Sequence, residues 1–440
     1  MSSDAVLSLS AGLDHTRLQR ITHWLDRQVG TNRMAGGSVL VARRAVQAYF
    51  HATGTAGVHT DLHNQPQTRA FQRDTIVRLY SMTKPVTTMA AMMLYEQGCF
   101  GLDDPIDRYL PAFSHTRVWD GKGALKTDED LRQHTRPMQS PITVRQLMNH
   151  TAGFTYSFMN ANAVDAYYND HALVFPGSPE SLGVLVDRLA SAPLLCQPGT
   201  QWNYSVATDV LGRLVEIWSG NSLARFFDEN IFSPLQMDST GFHVRPEQTQ
   251  RFADLYGPAA GGDLGAVSSA STDIIARGDV LEPPLALDVL ESSLFLQEPP
   301  LYSGGGGLVG SIDDYARFCQ CLLNDGELNG QRVLGRKTVR YMRQNHLPDN
   351  SDMAAMGQAQ WSETSYKGVG FGLGFAVVLD PVAAGMLTSA GEHHWGGAAS
   401  TFFWIDPAEQ MYVVFLTQLY PSSSYPFRTE LRTMVNQALI

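Results

Sequence analysis

Strand-forming runs stand near the two ends of this chain and scarcely between them. GGSVLVARR and AVQAYFHATG (36–54) are rich in β-branched and aromatic residues and read as two paired strands. GFGLGFAVVLD (370–380), STFFWIDP (400–407) and MYVVFLTQ (411–418) carry the same signal more than three hundred residues later. A strand must pair, so the two ends are expected to meet in one mostly antiparallel sheet. The runs LDHTRLQRITHWLDRQV (13–29) and FRTELRTMVNQALI (427–440) space their apolar residues as amphipathic helices that would flank it.

From about 101 to 300 the pattern changes. ITVRQLMNH, SLGVLVDRLASA and ATDVLGRLVEIWSG are helical and alternate with loops rich in Pro, Gly and Asp, while 115–140 is polar enough to be a surface loop. At 440 residues two domains are expected. Residues 1–100 and 301–440 would form an α/β domain, 101–300 a mainly helical insertion, with a cleft between them.

Charge and cysteines narrow the function. A net charge of −11 gives a phosphate backbone little to bind, so no nucleic-acid partner is expected. Cys99, Cys196, Cys319 and Cys321 form neither a disulfide framework nor a CxxC motif and read as small core residues. Cys319 and Cys321, two apart on a helical segment, should face different ways. The N-terminus has no basic region ahead of its short apolar run, and no span nears the roughly 20 apolar residues of a transmembrane helix. A cytoplasmic protein without a membrane partner is expected. Oligomeric state is not legible.

One segment carries a chemical pattern. In LYSMTKP (79–85) a serine and a lysine are three residues apart where DTIVRLY, a strand-like approach, gives way to a helical run ending at Gly98. Pro85 requires the helix to begin near Ser81, because deeper in a helix its ring collides with the preceding turn. Lys84 then lies over Ser81, at a helix start whose free N–H groups favour an anion. A serine becomes a nucleophile when a base takes its proton, and a lysine is that base when burial lowers its pKa. Alone, the spacing does not separate this from a capping serine beside a solvated lysine.

SMTKP, NYSVATDVLG (203–212) and HHWGGAAST (393–401), in this order, resemble the motifs of the serine β-lactamase and penicillin-binding-protein superfamily. GLDDPIDRYLP, ITVRQLMNHTAGF and SGGGGLVGSIDDYARFCQ extend the resemblance to the class C β-lactamase-like branch over most of the chain. It implies a β-lactamase-like two-domain fold, α/β plus all-α. It also implies Ser81 as acylated nucleophile, Lys84 as the amine beside it and Tyr204 as the motif tyrosine. A phenol beside an ammonium ionises more readily, so the proton of Ser81 is assigned to the pair Lys84 and Tyr204 without choosing between them. Trp395, Gly396 and Gly397 would occupy the third motif on a strand edging the site and contact substrate. The N–H groups of Ser81 and Ala398 would form the oxyanion hole, and the glycines would let substrate approach the strand.

The departures carry the specificity. The related lactamases have Tyr-x-Asn and Lys-Thr-Gly, whereas this chain has Tyr204-Ser205-Val206 and Trp395-Gly396-Gly397. An indole in place of a cationic carboxylate clamp suits neutral acyl esters, as in the family VIII carboxylesterases that this version resembles. The expectation is a serine carboxylesterase acting on small short-chain esters without cofactor or metal, with weak β-lactam hydrolysis or acyl transfer in reach of the same chemistry. The alternatives are a β-lactamase or D-amino-acid amidase, and a non-catalytic penicillin-binding protein.

Other signals yield less. No G-x-S-x-G elbow occurs, which argues against an α/β-hydrolase. GGGLVG (305–310) matches G-x-G-x-x-G but reads as a glycine-rich turn by the cleft. His393 and His394 would point to opposite faces of a strand and lack metal-ligand spacing; they read as structural or solvent-facing residues, with a place for one in the pocket beside Trp395 as the lesser alternative. Asn149 to Phe154 is expected to pack behind the nucleophile helix. Phe154, Tyr156, Phe158, Tyr167 and Tyr168 suit either an acyl pocket or the core.

Overall fold

The computed structural model describes residues 3–60, 66–259, 279–357 and 366–440. Residues 260–278, part of the stretch read as helical, lie outside the described residues. The two ends of the chain do meet in one sheet. Its strands are β1 (Gly36–Arg43), β2 (Val46–Thr60), β3 (Pro66–Ala70), β4 (Val369–Phe371), β5 (Ala376–Val378), β6 (His393–Gly396), β7 (Phe402–Asp406) and β8 (Met411–Thr417). They run in the order β4-β5-β6-β7-β8-β1-β2-β3, every neighbour antiparallel. β1 beside β8 is the seam where N- and C-terminal segments join, Leu40 opposite Val414.

β1 and β8 are buried along their whole length because both sheet faces are covered. Val39, Val41, Val413, Phe415 and Trp404 face α1 (His15–Gly30) and the C-terminal helix, where they meet Leu18, Ile21, Trp24 and Leu431. Leu40, Ala42, Val414, Leu416 and Phe403 alternate to the other face, against α2 (Thr83–Glu96) and α4 (Ile312–Leu323). The terminal helices are tied directly: Trp24 Nε1 donates to Glu430 Oε2 at 2.7 Å. α3 (Ala207–Ser219) packs on α2, and the shorter helices Val144–Met148 and Leu182–Leu189 pack on α3, within the same core. Among the described residues no helix is long and apolar enough to cross a membrane.

α2 is covered on every side, with Thr83 through Met92 all buried. Its ending agrees with the sequence: Gln97 caps it and Gly98 follows in the left-handed region at φ +75°. Its approach does not. Of the strand-like run 74–80, Val77–Arg78 alone forms a strand, pairing with Val309–Gly310 outside the large sheet, while Ile76 makes a single bridge to Phe252. The run 370–380 is a hairpin of β4 and β5, since Gly372 to Phe375 reverse the chain. The stretch 115–140, expected as loop, forms a ribbon of Arg117–Trp119 with Thr135–Pro137 around the helix Asp128–His134, which starts at a Thr127/Asp130 capping box. Cys196, Cys319 and Cys321 are buried, whereas Cys99 is half-buried at the core's edge. Cys319 and Cys321 are both in the core despite their spacing, because α4 is covered on several sides.

α5 (Phe427–Asn436) is locked to the sheet by a buried charge pair. Arg432 Nη2 donates to Glu392 Oε1 at 2.6 Å and its Nε to Oε2 at 3.2 Å; both residues are within 3% of fully buried. The Arg432 charge draws the Glu392 carboxyl below the usual carboxylate range, although burial pushes the other way. A carboxyl with a depressed folded-state pKa contributes stability above its unfolded pKa and loses it only as pH falls toward the folded one. Arg432→Ala leaves that carboxylate buried with Thr388 and His394 but without the arginine charge, and should cost about 3–5 kcal/mol in urea unfolding at neutral pH. A loss below about 1 kcal/mol would contradict this account.

Candidate active site

Ser81 lies in a single 3-10 turn, Tyr80–Met82, immediately ahead of α2, so Lys84 is the helix's second residue. Tyr80 is held at φ +45°, a region that L side chains seldom occupy, with its ring against Phe295 and Tyr420. Lys84 is 1% exposed and its Nζ donates to Ser81 Oγ at 3.1 Å and to the Gly305 carbonyl at 2.7 Å. Burial pushes its pKa down to about 7, against the opposing pull of Asp209. A solvated surface lysine is therefore excluded.

Tyr204 precedes α3 and closes over this pair. Lys84 Nζ lies 4.5 Å from the centre of its ring and 5.3 Å from that of Tyr156. Trp395 Nε1 donates to Tyr204 Oη at 3.4 Å. The phenol is not primed to ionise: burial lifts its pKa, and the hydrogen bonds of Ser81 and Trp395 offset this only in part. The expectation of an easily ionised phenol fails for a physical reason. The same burial that keeps Lys84 from holding a full charge also penalises a phenolate.

The segment Asn149 to Phe154 packs against Tyr204, close to Lys84 of α2. The His150 ring lies 5.0 Å from the Tyr204 ring and its Nδ1 is 3.3 Å from Ser205 Oγ. The Asn203 N–H donates to the His150 carbonyl at 2.8 Å, and Asn203 Nδ2 to the Phe154 carbonyl at 2.5 Å. Burial and the neighbouring Lys84 charge hold His150 well below the usual imidazole range.

β6 brings the third motif to the same place. Ser81, Tyr204, Trp395, Gly396, Gly397 and Ala398 all line one cavity of about 510 Å³. The Gly397 N–H donates to the Thr401 carbonyl at 2.9 Å, whereas the Ala398 N–H donates to no backbone carbonyl among the described residues. The glycines answer to the protein itself. A Cβ on Gly397 would lie 2.2 Å from Thr401 Oγ1 and 2.3 Å from the Leu79 carbonyl, and one on Gly396 would lie 2.5 Å from Arg428 Nη2. The strand end is thus pressed against the residues leading into Ser81.

Most of the cavity wall is apolar. Tyr156 and Phe158 belong to it, stacked at 4.6 Å, whereas Phe154, Tyr167 and Tyr168 are core residues outside it. His394 lines the cavity with its Nδ1 3.0 Å from Glu392 Oε1, and His393 turns away to Phe375 at 4.8 Å. Among the described residues no group of three His, Cys, Asp or Glu is placed to hold a metal ion.

Two residues at the site escape a reading by motif. The glycine-rich turn was expected near the cleft, but not the reach of the Gly305 carbonyl to Lys84. Asp209, fully buried on α3, accepts from Ser303 Oγ at 2.5 Å and from the Gly305 N–H at 3.0 Å. The only sequence signal for it is an acid in a helix's first turn.

A model of the family described as Beta-lactamase matches residues 21–435. A Mycobacterium tuberculosis protein is 34% identical over 358 residues, 80% of each chain. Esterase EstB of Burkholderia gladioli is 32% identical over 441 residues, 97% of this chain and 96% of that one. Among solved structures, EstCE1, described as a hydrolase with promiscuous acyltransferase activity, aligns with a TM-score of 0.72 at 28% identity, over 96% of this chain and 99% of the other. Because a Cβ on Gly305 would lie 2.4 Å from Asp209 Oδ2, Gly305→Ala should lower stability by about 1–3 kcal/mol, read as an earlier midpoint in urea. An unchanged midpoint would show that the loop relaxes freely.

Proposed function

The chain belongs to the beta-lactamase family and is a serine hydrolase, and from that premise we propose that it is a carboxylesterase for small, neutral acyl esters. The observation that carries the proposal is a lysine amine, buried and near neutral, 3.1 Å from a serine hydroxyl in a mainly apolar cavity. The site is taken as a cleft between a sheet-bearing domain and a helical one.

In this reading Ser81 Oγ attacks the ester carbonyl as the uncharged Lys84 amine takes its proton. The backbone N–H groups of Ser81 and Ala398 receive the developing oxyanion. Tyr204, kept protonated by burial, donates to the departing alkoxide and recovers a proton from the Lys84 ammonium, with the Trp395 indole holding its oxygen. Water, or an alcohol acceptor, then releases the acyl group from Ser81 by the reverse transfers. No cofactor enters the scheme.

Trp395, Phe158, Phe175, Phe242, Phe295 and Leu301 give the cavity a wall suited to apolar groups. Its volume exceeds the needs of a short acyl group, which favours a short acyl chain esterified to a bulkier alcohol. The name of EstB and the description of EstCE1 support ester hydrolysis with acyl transfer as its variant.

A fluorophosphonate or nitrophenyl ester should label Ser81, located by peptide mass spectrometry; label elsewhere, or full activity in Ser81→Ala, would sink the reading. Lys84→Ala and Tyr204→Phe should each lower kcat by about 10²–10⁴-fold. kcat/KM should rise with pH through about 7, because the base is the deprotonated amine. In a substrate panel, short acyl esters should turn over well ahead of nitrocefin and D-alanine amides. The opposite order would favour a lactamase or amidase, and a single-equivalent burst without turnover would favour a binding protein.

A further inference from the structure

Asp209 is a fully buried carboxylate for which the proposed reaction has no step. Its Oδ1 is satisfied by Ser303 Oγ and by the Gly305 N–H. Its Oδ2 is buried without a hydrogen-bond partner among the described residues and faces Gly305, whose Cβ position it nearly fills. An unpartnered carboxylate oxygen is costly to bury unless a nearby positive charge compensates it.

That charge is one residue away. Gly305 donates its N–H to Asp209 and accepts Lys84 Nζ at its carbonyl, so a single residue joins the carboxylate to the amine. The other groups around Lys84 are Ser81 in the turn before α2, Tyr204 ahead of α3, and His150 and Tyr156 from the loop behind them. Burial keeps the phenols and the imidazole uncharged. Asp209 is the carboxylate among these groups; burial raises its pKa, Ser303, the Lys84 charge and the Gly305 N–H pull it back down, and it sits in the first turn of α3, where the helix favours a negative charge.

We infer that Asp209 is a positioning residue for the nucleophile's base: it fixes Gly305 so that its carbonyl receives Lys84, and it supplies the counter-charge for the ammonium formed when Lys84 takes the proton of Ser81. The inference rests on Lys84 acting as that base. Removing the charge at Asp209 makes the ammonium less stable, so Lys84 gives up its proton at lower pH. The direction follows from the sign alone. Asp209→Asn keeps an acceptor for Ser303 and Gly305 while removing the charge. Ser303→Ala keeps the carboxyl but removes one donor to it, which favours its protonated form.

Lys84 can be titrated directly, because the chain has five lysines and their ¹³Cε signals are separable after labelling. Lys84→Met assigns the resonance. In Asp209→Asn the Lys84 midpoint should fall by on the order of one pH unit or more, with a smaller fall in Ser303→Ala. The acid limb of kcat/KM should move down with it. A general loss of packing would lower kcat without moving either quantity in this direction. A midpoint that stays in place in folded Asp209→Asn overturns the inference. If that variant does not fold, an unmoved midpoint in Ser303→Ala overturns it instead. If the midpoint falls while the acid limb stays, Asp209 is the counter-charge and it is the assignment of Lys84 as base that fails.

Discussion

An amine shut away from water is the constraint around which the rest is arranged. Lys84 stands on a helix covered on every side, where an unmatched amine would cost several kcal/mol. It therefore needs acceptors that come to it, and two do, the Ser81 hydroxyl and the Gly305 carbonyl. The second demands a backbone that passes very near α2, which is why Ser303 to Gly307 is nearly all glycine. Thr87 Oγ1 donates to the Gly304 carbonyl, and Thr83 Oγ1 accepts from the Leu308 N–H. The polar residues of a buried helix are thus spaced to fasten that loop.

The site assembles from four stretches far apart in sequence: the turn at Ser81, the lead into α3 at Tyr204, the loop at Gly305 and the end of β6 at Trp395. None is held in place by local structure alone. α2 is fixed by the core on both its flanks, and β6 by the sheet and by the grip of Arg432 on Glu392. The pairing of β1 with β8 at the centre makes the site's geometry a property of the complete fold.

How much of this could be read in the chain depended on how local the cause was. The stop at Gly98, the terminal helices and the continuous β-branched and aromatic runs of β1 and β8 are set by neighbours in sequence, and all are legible. So is the three-residue spacing of Ser81 and Lys84. The hairpin inside 370–380 was hidden because its turn residues alternate with apolar ones and prolong a strand pattern. The helix within 115–140 announces itself only through the Thr127 and Asp130 capping pair, which a reading based on polarity passes over. Asp209, Gly305 and His150 act through contacts across the fold, and no spacing marks such contacts. The raised phenol of Tyr204 was misjudged because a motif names the ammonium beside it but not the loss of water around both.

β6 is paired on both sides for only part of its length. β5 reaches it at His393 and His394 and then turns away, whereas β7 continues along it to Gly396. Among the described residues, the end of the strand that faces the cavity therefore has one edge without a strand partner, about a single residue pair long. An extended peptide seeking to join the sheet as an extra strand would find room for hardly one rung of a ladder. What the cavity does offer along its length is aromatic wall, from Tyr156 and Phe158 round to Phe295 and Trp395.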